Sequence, residues 1–348
     1  NWSDHYYVDA DHINLGTVDA FIDHSDFFTL DVADTIGGEV TVEEINAFLE
    51  ISSPYTGSLE IPGIPDPYHI TRDDLVRIAK NFLGAIREAA AIYNHIVSTK
   101  GADNIIAEVS MDEVENPQTP VELFFILLMI NQYGIPAQTI APKFTGRFNK
   151  GVDYVGDAEQ FRKEFEQDLL VIDYAIKTFG LPDNLKLSVH SGSDKFTIYP
   201  IMGELIQKYD KGIHVKTAGT TWLEEVIGLA MSGGEALTMA KDIYSRAYKR
   251  QAELCEPYAT VIDIDPSNLP TPEEVGTWNG DKFANTLRNI PGHPDYHAGF
   301  RQLIHVGYKV AAEMGDGFLS MVKDNRLIVG EQVTTNIYNR HICRLFNL

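Results

Sequence analysis

The sequence predicts an α/β protein of the (β/α)8 barrel type, TIM-barrel-like and short of its first two strands. Three observations predict it. Six short apolar runs, rich in β-branched and aromatic residues, each end in charged or small polar residues. Amphipathic helical stretches separate most of them, the pattern of βαβ units and a parallel sheet. Neither a GxGxxG turn nor a GxxxxGK[S/T] loop occurs, which removes the phosphate-binding signatures of many open, doubly wound sheets.

Taken in order, the strand candidates begin with Tyr6-Tyr7-Val8 running into Asp9-Ala10-Asp11-His12, then Phe27-Phe28-Thr29-Leu30 into Asp31. Ile105-Ile106-Ala107 leads into Glu108, and Thr139-Ile140-Ala141 into Lys143. Leu185 to Val189 leads into His190, and Ile213-His214-Val215 into Lys216. Helical periodicity is expected over Arg72–Ser98, Pro120–Tyr133, Asp157–Phe179 and Trp222–Met231. Polar residues gathered at strand C-termini mark the rim on which a (β/α) barrel assembles its active site. Six strands fall two short of eight, so an upstream part is expected to be missing; the chain also opens without Met. After Ala240 the pattern turns helical, giving an expected division into a barrel part, 1–240, and a helical part, 241–348. Loop-rich stretches are expected at Ser52–Tyr68, Asp265–Glu274 and Asn279–Gly299.

Charge narrows the function. The 348 residues carry 28 Lys and Arg against 50 Asp and Glu, a formal net charge of -22. Such a surface repels phosphate backbones and anionic lipid, which argues against nucleic-acid and membrane partners. No uncharged apolar run approaches the roughly 18 residues of a membrane span, and the polar, aromatic start from Asn1 to Tyr7 is unlike a signal peptide. Two cysteines, Cys255 and Cys343, cannot build a disulfide framework and fit a cytoplasmic setting. An anionic small-molecule substrate would need a local basic pocket. Homo-oligomerisation stays open.

Four stretches could carry chemistry. In Val8-Asp9-Ala10-Asp11-His12, strict alternation separates Asp11 from His12, but at a strand's end both can reach a pocket. The bland alternative is a capping Asp beside a structural His. Glu108 follows a buried run, where apolar neighbours favour a carboxyl that exchanges protons near neutrality. Asp112, Glu113 and Glu115 read as solvated charges or helix caps. In Val189-His190-Ser191-Gly192-Ser193-Asp194-Lys195, a strand ends in His and a polar turn that could meet a sugar's oxygens or a carboxylate through exposed amides. In Ile213-His214-Val215-Lys216-Thr217-Ala218-Gly219-Thr220, His214 and Lys216 share a strand face before a second candidate anion turn. A lone His between Ile and Val is usually a packed residue. Here its company matters: His12, His190 and His214 would converge from separate strand ends, and three neutral imidazoles suit Zn²⁺, Ni²⁺, Co²⁺ or Mn²⁺. Arg301 is a candidate partner for a substrate carboxylate, and His305 a supporting residue. No CxxC, HExxH or GxSxG is present.

At these residues the sequence resembles the tagaturonate/fructuronate epimerase family. The matching stretches are VDADHI at 8–13, FFTLDVAD at 27–34, EVSMDE at 108–113 and GVDYVGD at 151–157. SVHSGSDKFTIYP at 188–200, HVKTAGT at 214–220 and RQLIHVGY at 301–308 complete them in one order along most of the chain. The resemblance implies a (β/α)-barrel enzyme that needs a divalent metal and interconverts D-tagaturonate and D-fructuronate in hexuronate catabolism. Family members are longer at the N-terminus. By carry-over onto matching positions, Asp11 resembles the proton acceptor, Glu108 the proton donor, and His12 and His190 metal ligands. His214 is expected as a third ligand from its strand-end position. Ser191, Ser193, Asp194, Lys195, Lys216 and Arg301 are expected around the substrate. A metal-dependent aldolase or ketose isomerase would use the same histidines, and a non-catalytic sugar-acid-binding protein would need none of them for turnover.

Overall fold

The computed structural model describes residues 3–217 and 219–348. A six-stranded sheet is formed by β1 (Asp9–Ile13), β2 (Phe27–Asp31), β5 (Ile106–Ser110), β6 (Thr139–Ala141), β7 (Lys186–His190) and β8 (Ile213–Lys216). A separate antiparallel hairpin pairs β3 (Gly57–Leu59), inside the stretch expected to be loop, with β4 (Tyr68–Ile70), which begins at its last residue. Strand order in the large sheet follows chain order, and its pairs from β1 through β7 are parallel. Sequential order is the winding of a barrel, whereas a doubly wound sheet reverses direction at a switch point. Six parallel strands are therefore present, and among the described residues they do not close into an eight-stranded barrel.

The sheet is strongly curled. Glu108 on β5 and His214 on β8 lie three strand spacings apart, about 14 Å in a flat sheet. Their side chains meet at 3.0 Å. Phe27 of β2 stands four spacings from β8, yet its ring centroid lies 5.1 Å from that of His214. Only a sheet bent toward this face brings such side chains together.

The helices α1 (Val42–Ser52), α2 (Arg72–Lys100), α3 (Pro120–Gln132) and α4 (Ala158–Phe179) precede α5 (Tyr199–Tyr209), α6 (Thr220–Ser232) and α7 (Gly234–Lys249). Their starts are chemically marked. Thr41 and Glu44, Thr71 and Asp74, and Thr119 and Glu122 form reciprocal capping boxes, and Pro120 sits at the first turn of α3. Helix α3 is apolar all round and buries every residue from Glu122 to Ile130, as a helix without a polar face must.

Strand β1 departs from its sequence reading. Tyr6, Tyr7 and Val8 have high strand propensity, yet they are exposed and irregular, and the strand forms over Asp9–Ile13. Pairing with β2 overrides propensity here. The register slips between Ala10 and Ile13, with three steps on β1 against two on β2. His12 takes a left-handed φ of 51° at this bulge. Bulges re-aim side chains, and this one breaks the alternation that would separate Asp11 from His12.

The chain comprises two compact units that interleave along the sequence. The first is Asn1–Thr145, Glu159–Val189 and Tyr209–His214; the second is Gly146–Ala158, His190–Lys208 and Val215–Leu348. Residue 240, the expected boundary, lies inside α7. The second unit packs α6 and α7 with the helices Gly280–Leu287, Ala298–Val306 and Arg326–Thr334 around Trp222, Tyr244, Phe283 and Phe300. Tyr244 and Phe300 stack at 4.4 Å, and the Trp222 indole donates to the Ile304 carbonyl. The stretch Thr335–Ile342 winds as a π-helix. No helix among the described residues is long and apolar enough to cross a membrane.

Candidate active site

In the first unit a row of polar side chains crosses the inner face of the curled sheet. It runs through Asp9, Thr29, Glu108, Thr139, Ser188 and His214, set there by strand register and the two-residue repeat. Glu108 has no exposed surface. It stands in the middle of β5, one layer below the rim where the sequence places it. Polar groups rather than apolar walls surround its carboxylate. Thr139 Oγ1 donates to Oε2 at 2.7 Å, and Thr29 Oγ1 lies 3.3 Å from Oε1. His214 Nδ1 is 3.0 Å from Glu108 Oε2 and 3.0 Å from Ser188 Oγ.

One layer nearer the strand ends, His12 Nδ1 is 3.1 Å from Asp31 Oδ2, and its Nε2 is 3.7 Å from Asp11 Oδ1. Ligand atoms of His12, Asp31 and Glu113 all lie within 4.8 Å of one another. One imidazole and two carboxylate oxygens form a donor set that fits a divalent cation of borderline hardness. Asp31 and Glu113 are not among the candidate ligands that the sequence suggests. Asp31 ends a strand, which is a readable signal, but Glu113 is indistinguishable in sequence from solvated loop charge. His214 belongs to no such triplet among the described residues, because the bulged β1 carries His12 away from the Glu108 layer. Lys143, just past β6, is half-buried; burial lowers its pKa, against Asp112 and Glu113 nearby.

The second unit treats its polar residues differently. Ser191, Ser193, Asp194, Lys195 and Arg301 all have no exposed surface. Lys195 Nζ donates to the carbonyls of Asn149 and Val152 and to Ser193 Oγ, and burial pushes its pKa down to about 7. Arg301 donates from each of its three nitrogens, to Gly151 O, Leu287 O and Asp194 Oδ2. Ser191 bonds the Lys216 carbonyl through both its N–H and its hydroxyl. The five residues expected around a substrate are thus internal braces of the turn in this conformation. Lys216 is half-buried and is the one member of that expected set with exposed surface. Burial alone would raise the Asp194 carboxyl, but Arg301, His341, Arg340 and Lys195 hold it below its ordinary value. Glu224 is pushed up to about 7 by burial, eased by Arg301 and by a 2.8 Å bond from Asn336.

His305, in the helix Ala298–Val306, has a supporting place. Its Nε2 lies 3.3 Å from the Gly192 carbonyl, and a Cβ on Gly219 would sit 2.2 Å from the same nitrogen. Gly219 has φ +80°, so both the backbone and the imidazole demand glycine there. Ala218 of the second expected anion turn lies outside the described residues.

Comparison with known proteins adds identity to this geometry. Residues 1–342 match the UxaE family, described as tagaturonate epimerase. The chain belongs to the tagaturonate epimerase family. It is 27% identical to the tagaturonate/fructuronate epimerase of Thermotoga maritima, over 98% of this chain and 68% of the relative. A crystal structure of fructuronate-tagaturonate epimerase UxaE from Cohnella laeviribosi, complexed with one glycerol, superposes with a TM-score of 0.76 at 22% identity. It covers 99% of this chain and 69% of that one. The native structure of the same enzyme gives 0.75 over the same shares. At that identity the likeness establishes the fold. Of the positions expected from the sequence to carry chemistry, Asp11, His12 and Glu108 stand in the first unit, while His190 closes β7 and opens the second.

Proposed function

We propose that this protein interconverts D-tagaturonate and D-fructuronate with the help of a divalent cation. The family match over residues 1–342 carries the reading, and the named relatives supply the substrate pair. The layered arrangement of the first unit supports it. An exposed carboxylate, Asp11, and a His–carboxylate cluster lie near the strand ends, above a buried carboxylate–imidazole pair.

The carbon inverted in this reaction is β to the ketone, so its hydrogen is not acidified by simple enolisation. Retro-aldol cleavage and re-addition avoids that difficulty. Asp11, with its side chain 47% exposed, takes the proton of the hydroxyl at the reacting carbon. The bond between the α and β carbons breaks, the aldehyde turns over, and re-addition forms the other epimer. A divalent cation held through His12, with Asp31 and Glu113, would polarise the ketone. The His12 bulge aims the imidazole toward those carboxylates, and Asp31 fixes the ring through Nδ1. Lys143, half-buried just past β6 beside Asp112 and Glu113, is a cation of the first unit that would meet the substrate's carboxylate.

Incubating Ni²⁺- or Zn²⁺-loaded protein with tagaturonate and assaying fructuronate tests the proposal, with EDTA-treated protein as control. Fructuronate formation that EDTA abolishes is the expected result. Absence of conversion with every divalent ion tried would remove it. Trace three-carbon products would support cleavage, whereas incorporation of solvent hydrogen at the inverted carbon would point to deprotonation instead.

A further inference from the structure

We infer that Asp168 keeps its proton while the β3–β4 hairpin is docked on α4, and that losing this proton releases the hairpin. No residue assigned chemistry above takes part, so the clasp and the epimerase reading stand or fall separately. The hairpin needs a dock. Each of its strands contributes three paired residues, joined by a connection holding Pro62, Pro65 and Pro67. A two-stranded ribbon of that size is marginal in water by itself. Leu59, Ile61 and Ile70 are buried, and Tyr55, just ahead of β3, sets its ring 5.1 Å from Phe124 and 5.9 Å from Phe179. The connection rests on α4, since a Cβ on Gly63 would come 3.0 Å from the Leu170 side chain.

Asp168 stands at this dock, on the apolar stripe of α4 that buries Phe161, Phe165, Leu169 and Ile172, and it is 3% exposed. Its Oδ1 has no hydrogen-bond partner, and neither has the buried Oη of Tyr68 on β4. The titratable groups that act on Asp168 are Glu164, one turn earlier on α4, and Tyr68. Neither brings positive charge. Glu164 is itself engaged by the Thr145 N–H and by Gln160. A carboxylate sealed from water without a cation or a donor is too costly to hold, so the group neutralises instead. Burial accordingly raises the Asp168 carboxyl well above the ordinary carboxylate range, and Glu164 adds to the rise.

The direction of the switch follows from proton counting. Lifting the hairpin lets water reach Asp168, which then ionises at its ordinary value of 3.8. Between that value and the raised one of the docked state, the open form binds one proton fewer. The opening constant therefore climbs by up to about tenfold per pH unit across this interval and levels off above it. The clasp is tight in acid and loosens as the solution becomes alkaline.

Asp168→Asn keeps the shape of the protonated acid and cannot ionise. Native-state amide hydrogen exchange of the hairpin, corrected for intrinsic rates, is compared between D168N and the unsubstituted protein from about pH 4 to about pH 8. Hairpin protection should be similar in the two proteins at about pH 4. As pH rises, the unsubstituted hairpin should lose up to about tenfold per unit relative to D168N, while the amides of α3 show no such divergence. A ratio that stays constant at every pH, whatever its size, overturns the inference and leaves Asp168 a packing residue. Should D168N not fold, carboxyl NMR of the unsubstituted protein carrying ¹³C-labelled aspartate decides. One aspartate that remains protonated through about pH 6 supports the clasp; complete ionisation of all of them by about pH 5 overturns it.

Discussion

Both units of this protein bury a carboxylate completely, and the two do opposite things. Asp194 in the second unit is met by Arg301 at 2.7 Å, and the surrounding Lys195, Ser193 and Glu224 are buried with it. Glu108 in the first unit is met by two threonine hydroxyls and one imidazole whose ring reaches solvent. The first arrangement is sealed and neutralised from within. The second is reached from outside through the partly exposed imidazole of His214. A buried acid is therefore no marker of chemistry by itself; what distinguishes the two sites is whether an exposed, protonatable group touches the acid.

The most damaging way to probe this contrast is Arg301→Met, which strands the Asp194 charge in the interior. Removing one partner of a buried pair costs about 3–5 kcal/mol. Urea denaturation of R301M should read a loss of that size. A loss under about 1 kcal/mol would mean Asp194 finds other partners, such as water. Next comes pH. Glu224 has its pKa raised from 4.5 to about 7, so folded and unfolded chains bind its proton equally below 4.5. As pH rises from 4.5 toward 7, the unfolded chain ionises while the fold keeps the proton, and stability falls; above 7 the loss is complete. Glu224→Gln should remove a decline of about 3 kcal/mol across that window, measured as the difference in unfolding free energy between the two proteins. Identical pH profiles would show that Glu224 is ionised in the fold. A smaller effect belongs to the first unit. Thr139→Val takes the short hydrogen bond from Glu108 and should cost about 1–2 kcal/mol while also lowering turnover. Stability lost with turnover intact would move Glu108 into the same sealed class as Asp194. The mildest change, Thr119→Ala, removes the cap of α3 and should cost about 1 kcal/mol with no effect on activity.

Much of the architecture was legible in the sequence, and the reasons are local. Periodicity placed α2, α3, α4 and α6 within two residues of their observed ends, and capping boxes mark the starts of α2 and α3. The order of the sheet followed from strand–helix alternation. What escaped depends on tertiary pairing. Tyr6–Val8 looked like the first strand, and the acidic Asp9–Ile13 is the strand, because β2 supplies its hydrogen-bonding partner. Glu108 was read as a rim residue and lies mid-strand; a one-layer difference in depth leaves no trace in composition. The Ser191–Lys195 turn looked like a binding loop, since small polar residues serve a ligand and an internal brace equally well. Its role as a brace is decided by Arg301, more than a hundred residues away. The meeting of His12 with Asp31 and Glu113 requires the curl and the bulge, neither of which a single sequence encodes visibly.

The π-helical winding of Thr335–Ile342 has a consequence for what evolution can delete. Asn336 Nδ2 and His341 Nε2 both approach Asp194 Oδ1, at 3.4 and 3.5 Å. In an ordinary α-helix, positions five apart point about 140° away from each other. The wider turn is what lets this pair share a target. Losing one residue between them would relax the coil to normal pitch, swing the imidazole off the carboxylate, and rotate the final turn, Cys343–Phe346, with it. Chain length across this segment is thereby as tightly specified as the identity of the side chains it presents.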